Sequence, residues 1–302
     1  MIKKVGIFLE MIKFEHSIFA LPFAYLGFFL ALETQVPGTS MGARHLFGAI
    51  GDSPQIWAKF IWVTIAMVSM RTAAMCFNRL LDQRIDAENP RTQNRALPRQ
   101  LITRRFTWIA AVIGVFIFVK AAENLNELCL ALAPIPIALS LIYPLVKRFS
   151  WLSHWILGLT LGIAPYGAWL AVKSEWSWIP GLLTIAVLSW VSGFDVFYAL
   201  QDEDFDRRNG LFSLPASFGQ ARAIFVAKCL QGLTILALIL TGFLSSRRLF
   251  YWIGIVLVSA FIYREHRLVD KFGLQKINEA FFSMNAWVSV VIFLATFLDL
   301  MI

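Results

Sequence analysis

Long apolar runs separated by short polar connections dominate this chain. Nine can be marked, at 15–33, 57–80, 106–122, 127–145, 151–172, 179–200, 221–245, 249–265 and 278–301. A helix needs roughly 20 such residues to cross a hydrocarbon core, and only helices or closed barrels satisfy their backbone there. The pattern predicts an all-α polytopic membrane bundle of about nine transmembrane helices. Glu10, Lys13, Glu15 and His16 interrupt the approach to the first run, and no small-residue cleavage pattern follows it. A retained helix is expected there rather than a cleaved signal. No separate soluble domain stands out, so residues 1–302 read as a single integral-membrane domain.

Composition agrees. The 302 residues are 58% hydrophobic and only 15% charged, with a mean hydropathy of +0.67, whereas a soluble domain carries roughly 25% charge. The net charge of +8 has a topological origin. Of the 27 Lys and Arg, nineteen fall on the N-terminus and the even-numbered connections, six (Arg44, Lys59, Lys120, Lys173, Arg247, Arg248) at the odd-numbered ones, and two, Arg71 and Lys228, inside runs. The positive-inside rule then places the N-terminus and the even connections on the cytoplasmic side. Anionic lipid is the expected surface partner. Nucleic acid is not, because the basic residues are divided among loops between apolar spans. Cys76, Cys129 and Cys229 are far apart and show no metal or disulfide spacing.

Two polar stretches end apolar runs. In "NRLLDQRID", Asn78, Asp82 and Asp86 recur every four residues, each displaced about 40° around a helix, so they form one polar stripe. In "DVFYALQDEDFD", Asp195, Asp202 and Asp206 return to within about 20° of one another on a continuous α-helix. A carboxylate near hydrocarbon costs on the order of 2.5–3.5 kcal/mol, so each stripe needs compensation. Mg²⁺ takes oxygen ligands and typically bridges carboxylates to a substrate phosphate; two facing stripes suit two such ions around a diphosphate. Pairing with arginines in solvated loops accounts better for Glu88, Glu203 and Asp204.

The following loops are basic. "ENPRTQNRALPRQ" offers Arg91, Arg95 and Arg99, one turn apart if the loop stays helical, and "YPLVKRFS" offers Lys147 and Arg148. Arg grips phosphate oxygens bidentately and Lys supplies a point charge. Arg71 lies about two turns before Asn78 on the same face. A charge at that depth marks a functional site, serving either to neutralise the stripe or to bind an anionic group below it. Gly158, Gly162 and Gly167 leave room for an isoprenoid tail or allow close helix packing. His16, His45, His154 and His266 show no ligand spacing. The stretch "TQVPGTSMGARHLFGAIGDSP" has the composition of an extracytoplasmic connector.

These motifs resemble the UbiA family of intramembrane aromatic prenyltransferases. The resemblance rests on the Asn78, Asp82 and Asp86 spacing with "NPRTQNRALP" after it, on Asp195, Tyr198, Asp202 and Asp206, on "YPLVKR", and on the Gly-rich "LGLTLGIAP". "KFEHSIFALPFAYLG", "NRLLDQRIDAENPRT" and "AFFSMNAWVS" are most similar to the 4-hydroxybenzoate polyprenyltransferase-like branch, which includes members placed in the futalosine route to menaquinone. The resemblance implies a UbiA-like bundle in the bacterial cytoplasmic membrane and Mg²⁺-dependent transfer of a polyprenyl group from polyprenyl diphosphate to a hydroxylated aromatic acid, in ubiquinone or menaquinone biosynthesis.

It also implies roles: Asn78, Asp82, Asp86, Asp202 and Asp206 for the metals, Arg95, Lys147 and Arg148 for diphosphate, and Arg71 for the acceptor carboxylate. Asp195, Asp82 and Tyr198 are its expected catalytic residues, with Phe77 and Phe194 as further rings near an allylic cation. Many members carry Asp after the first Asn, where this chain has Arg79, and some carry Arg where it has Gln83. A secondary transporter would place its acids at mid-membrane beside Gly or Pro breaks. A lipid-head-group phosphotransferase would show an Asp-x-x-Asp-Gly start, which is not found.

Overall fold

The computed structural model describes residues 2–14, 17–33, 53–272 and 277–302. His16, and residues 34–52 of the expected connector, lie outside them. The described residues are mostly helical, without strands. In chain order the helices are α1 (Ile2–Met11), α2 (Ser17–Glu33), α3 (Pro54–Glu88), α4 (Arg104–Leu125), α5 (Glu127–Leu132), α6 (Pro134–Val146) and α7 (Ser153–Lys173). They continue with α8 (Trp178–Ala199), α9 (Glu203–Arg208), α10 (Leu214–Phe218), α11 (Gln220–Leu244), α12 (Leu249–Phe272) and α13 (Ile277–Met301). Among the described residues the apolar runs lie largely in helix, the run 127–145 being divided at Ala133 between α5 and α6. Among the described residues six helical segments are long and apolar enough to cross a membrane, and Leu21–Glu33 and Trp287–Met301 are shorter apolar stretches.

Local signals set the ends. Pro54 opens α3, where its missing N–H is no loss, and α3 ends as Asn89 turns extended before Pro90. Thr103 and Ser177 cap α4 and α8 by accepting the amides of Phe106 and Ile179. Asn126 accepts the Cys129 amide at 2.8 Å and donates to Leu170 O at 2.8 Å, which ties the α4–α5 junction to α7. Packing then follows the chain: α3 on α4, α6 on α3 and α7, α7 on α8, α8 on α11, α11 on α12, α12 on α13. α2 closes the ring between α13 and α7.

Apolar residues are not confined to the interior. Phe28, Leu183, Leu238 and Ile292 fill the core, while Val112, Phe116, Phe225 and Phe243 point outward, each more than 60% exposed. So much apolar outer surface is at odds with water and suits lipid. Gly158 and Gly162 serve packing: a Cβ on Gly158 would stand 2.3 Å from Ser192 Oγ and 2.5 Å from Leu188 O, and one on Gly162 2.9 Å from Thr184 O. Gly167 differs, having nothing within 4 Å of its would-be Cβ and lining a cavity.

Two local expectations are corrected. The run carrying the second acidic stretch is not one α-helix: α8 stops at Ala199, a 3-10 turn covers Leu200–Asp202, and α9 begins at Glu203. A 3-10 turn has 3.0 residues per turn, so three residues add roughly 60° of rotation. The α-helical period therefore no longer gives the angle between Asp195 and Asp202 or Asp206. The segment 89–102 is a chain of turns, not a helix, stitched by bonds such as Thr92 N–H to Asn89 O and Leu101 N–H to Ala96 O. Arg91 reaches Asp202 and Arg95 reaches Asp86 from this segment.

Gly27 packs against Pro165 so closely that an added Cβ would lie 2.1 Å from a backbone oxygen. Gly27→Val should destabilise the protein by about 1–3 kcal/mol or more, whereas Gly167→Ala should stay within about 0.5 kcal/mol. Thermal melts of the detergent-solubilised protein will separate the two.

Candidate active site

The uninterrupted α3 keeps Asn78, Asp82 and Asp86 on one face, as their spacing requires. Asp82 and Asp86 are buried, and each is met by a cation from a neighbouring loop. Lys147 Nζ donates to Asp82 Oδ2 at 2.7 Å, and Arg148 Nη2 lies 3.8 Å from Oδ1 while donating to Leu81 O at 2.6 Å. Asn78 Nδ2 reaches Asp82 Oδ2 at 3.2 Å. Arg95 Nη1 grips both oxygens of Asp86, at 2.7 and 2.9 Å. Charge-assisted bonds of this kind are worth about 1.5–3 kcal/mol each, comparable to the cost of placing a carboxylate near hydrocarbon.

The second acidic stretch is held from the first half of the chain. Arg91 lies bidentate on Asp202, with Nε to Oδ1 at 2.9 Å and Nη2 to Oδ2. Its Nη1 donates to Tyr198 OH at 2.6 Å, and its guanidinium carbon sits 4.6 Å from the Tyr198 ring centre. Asn89 Nδ2 adds a bond to Asp202 Oδ1 at 2.9 Å. Burial alone would lower the Arg91 pKa, but the hydrogen bond to Asp202 and the nearby carboxylate charges hold it above its ordinary value. Asp206 lies within electrostatic range of Asp202, Lys147 and His154. Gly210, at φ +64°, lets the chain turn back after α9 so that Phe212 N–H reaches Lys147 O at 2.7 Å.

Asp195 is held by a different partner, with Oδ2 2.6 Å from His154 Nδ1. Arg71 lies deeper on α3. It lines a cavity of about 380 Å³, and its buried Nε has no hydrogen-bond partner. Ser140 and Thr184 bring two further buried, unpartnered hydroxyls to the same cavity. Tyr143 also lines it and lies within electrostatic range of Asp82, Arg79, Arg95 and Asp195, which joins the cavity to the charged cluster.

The two departures from the family pattern carry structure. Arg79 donates to Met11 O at 3.3 Å and to Asn78 Oδ1 at 3.2 Å, tying the end of α1 to the stripe. Gln83 donates to Leu97 O at 3.3 Å and accepts from Arg104 at 2.8 Å. Phe77 packs against Trp108 and Phe194 against Trp190, so both rings are engaged in packing. Glu203 pairs with Arg207 at 2.8 Å, as its loop setting suggested.

Sequence reasoning missed His154, Asn89 and Tyr143. Buried polar residues at the ends of apolar helices were the available signal, since each requires a partner.

Among the described residues no three His, Cys, Asp or Glu side chains converge as a metal-holding group; protein cations neutralise the carboxylates instead. The donor set still fits a hard cation. It is all oxygen from carboxylates and an amide, and buried Asp82 Oδ1 has no hydrogen-bond partner.

The UbiA prenyltransferase family matches residues 20–289. The chain belongs to that family. It is therefore an integral-membrane prenyltransferase, and the transporter and head-group phosphotransferase readings fall. The 4-hydroxybenzoate octaprenyltransferase of Haemophilus ducreyi is 30% identical over 256 residues, 82% of this chain and 90% of that one. An apo UbiA homologue from Aeropyrum pernix superposes with a TM-score of 0.81 at 29% identity, covering 94% of this chain and 98% of that one. A UbiA homologue from Archaeoglobus fulgidus bound to GPP and Mg²⁺ has the same fold, with a TM-score of 0.68 at 17% identity over 96% and 99% of the two chains.

Arg91 and Asp202 join the two halves of the cluster across |i−j| = 111. A double-mutant cycle of Arg91→Ala and Asp202→Asn should show a coupling of about 0.5–3 kcal/mol. Denaturation of the purified protein measures it; strict additivity would mean that the contact contributes nothing.

Proposed function

We propose that residues 1–302 form one domain that transfers a polyprenyl group from polyprenyl diphosphate to the ring of a hydroxylated aromatic acid, 4-hydroxybenzoate or a hydroxynaphthoate, in quinone biosynthesis. The observation that carries this reading is one arrangement. A cluster of carboxylates and cations joins, through Tyr143, a largely apolar cavity whose wall presents the unpartnered Nε of Arg71. The names of the curated relatives favour an aromatic acceptor and an octaprenyl-type donor.

In this reading Asn78, Asp82, Asp86, Asp202 and Asp206 hold Mg²⁺, which supplies Lewis-acid neutralisation of the diphosphate when bound. Arg95, Lys147 and Arg148 grip diphosphate oxygens. They now rest on Asp82, Asp86 and the Leu81 carbonyl, so they are already aimed at the place where negative charge collects. The allylic C–O bond breaks with its electron pair leaving on diphosphate. The ring carbon ortho to the acceptor hydroxyl then forms the new C–C bond and releases its proton. Apolar walls keep water from the allylic cation, and Tyr143 and Tyr198 offer ring faces to it. Arg71 pairs with the acceptor carboxylate, and Asp195 orients the acceptor hydroxyl.

The isoprenoid tail stays in the cavity and in lipid. The distribution of Lys and Arg supports an N-terminus and a charged mouth on the cytoplasmic side of the bacterial inner membrane.

Membranes carrying the protein, given labelled polyprenyl diphosphate, Mg²⁺ and either 4-hydroxybenzoate or a hydroxynaphthoate, should form prenylated product. No product with any phenolic acid would overturn the reading. Asp82→Asn and Asp202→Asn should each lower turnover at least about 100-fold, the scale on which loss of an electrostatic stabiliser acts, with insertion unchanged on immunoblots. Arg71→Ala should raise KM for the acceptor about tenfold or more, with KM for the donor nearly constant. The reverse split would assign Arg71 to the diphosphate.

A further inference from the structure

His154, in the first turn of α7, is 3% exposed and has both ring nitrogens engaged. Nε2 lies 3.2 Å from the backbone nitrogen of Leu214, and Nδ1 lies 2.6 Å from Asp195 Oδ2. A backbone amide can only donate, so Nε2 supplies the lone pair, which an imidazolium lacks. The ring is therefore neutral with its proton on Nδ1, and the Nδ1–H donates to the Asp195 carboxylate. The helix is held too: Ser192 Oγ donates to His154 O at 3.0 Å, where the absent side chain of Gly158 lets α7 and α8 approach.

His154 thus touches two elements that the proposed chemistry needs in register, α8 and the start of α10. Asp195 sits on α8, Leu214 opens α10 just after the turn through Gly210, and Phe212 in that turn is anchored on Lys147 O. Asp195 is held by one oxygen while its side chain remains 28% exposed, so the carboxylate is oriented without being enclosed.

We propose that His154 is a positioning residue for prenyl transfer: its Nδ1–H sets the rotamer of Asp195, so that the free part of the carboxylate meets the acceptor hydroxyl. This inference rests on the role given to Asp195 above. His154 touches no substrate; it acts through Asp195.

Two conservative variants separate positioning from support. In His154→Asn the side-chain amide NH₂ takes approximately the place of Nδ1, so the donor to Asp195 survives and the Leu214 contact is lost. In His154→Gln the longer amide reaches the place of Nε2, so an acceptor for Leu214 survives and the donor to Asp195 is lost. With the full-length protein in membranes and 4-hydroxybenzoate as acceptor, His154→Gln should lower kcat about 10- to 100-fold, the scale of a misplaced reacting group. KM for polyprenyl diphosphate should stay within about threefold, and His154→Asn should keep kcat within about fivefold of the parent.

Combined with Asp195→Asn, His154→Gln should add no further loss, as expected of groups that act as a unit. Equal losses in both His154 variants, losses that track Tm, or an effect on donor KM alone would overturn the inference. If Asp195→Asn is impaired while His154→Gln turns over like the parent, the inference fails and the reading of Asp195 stands. If Asp195→Asn itself turns over like the parent, both fall.

Discussion

Carboxylates at the ends of apolar helices must be neutralised, and the architecture of this protein's charged end follows from that requirement. Asp82, Asp86 and Asp202 each sit where hydration is poor, and each takes an Arg or Lys from a different segment: Lys147 after α6, Arg95 and Arg91 after α3. Two loops are thereby drawn over one region. Removing one partner from such a pair leaves an uncompensated charge, which costs more than the pair contributes. The loops are therefore ordered by the acids as much as by their own hydrogen bonds.

The same arrangement prepares the site for an anionic substrate. In the proposed function, the cations that neutralise the acids also receive diphosphate oxygens, so substrate binding would redistribute charge that is already assembled. Below them the cavity is largely apolar, with Arg71, Tyr143, Ser140 and Thr184 as its main polar features. Charged mouth and apolar interior separate the two halves of the donor molecule, a diphosphate that needs cations and an isoprenoid that needs none. Preorganised groups of this kind need little rearrangement when charge develops.

Legibility from sequence differed between the two acidic stretches for a physical reason. Asn78, Asp82 and Asp86 lie in an unbroken helix of 35 residues, so a period of 3.6 places them correctly. Asp195, Asp202 and Asp206 straddle a 3-10 turn, and a short change in winding re-aims everything beyond it. Arg91 was visible as a basic residue, but not as the bridge to Asp202, because a turn chain rather than a helix carries it. His154 was set aside for lacking ligand spacing; its partner lies on another helix at |i−j| = 41. Gly158 and Gly167 stood together as small residues, and only their neighbours show that one is a packing contact and the other a cavity wall.

The amino-acid order by itself determined the membrane-embedded helical class, the location of the apolar runs, the polar face of α3 and the family motifs. Those properties depend on local hydropathy and on the pitch of a single helix, which nearby residues set. Tertiary structure alone decided which cation meets which acid, that Arg71 lines a cavity, and that His154 holds Asp195. These are contacts between segments distant in sequence, and they depend on helix ends, turns and close approaches whose geometry emerges only when the bundle packs.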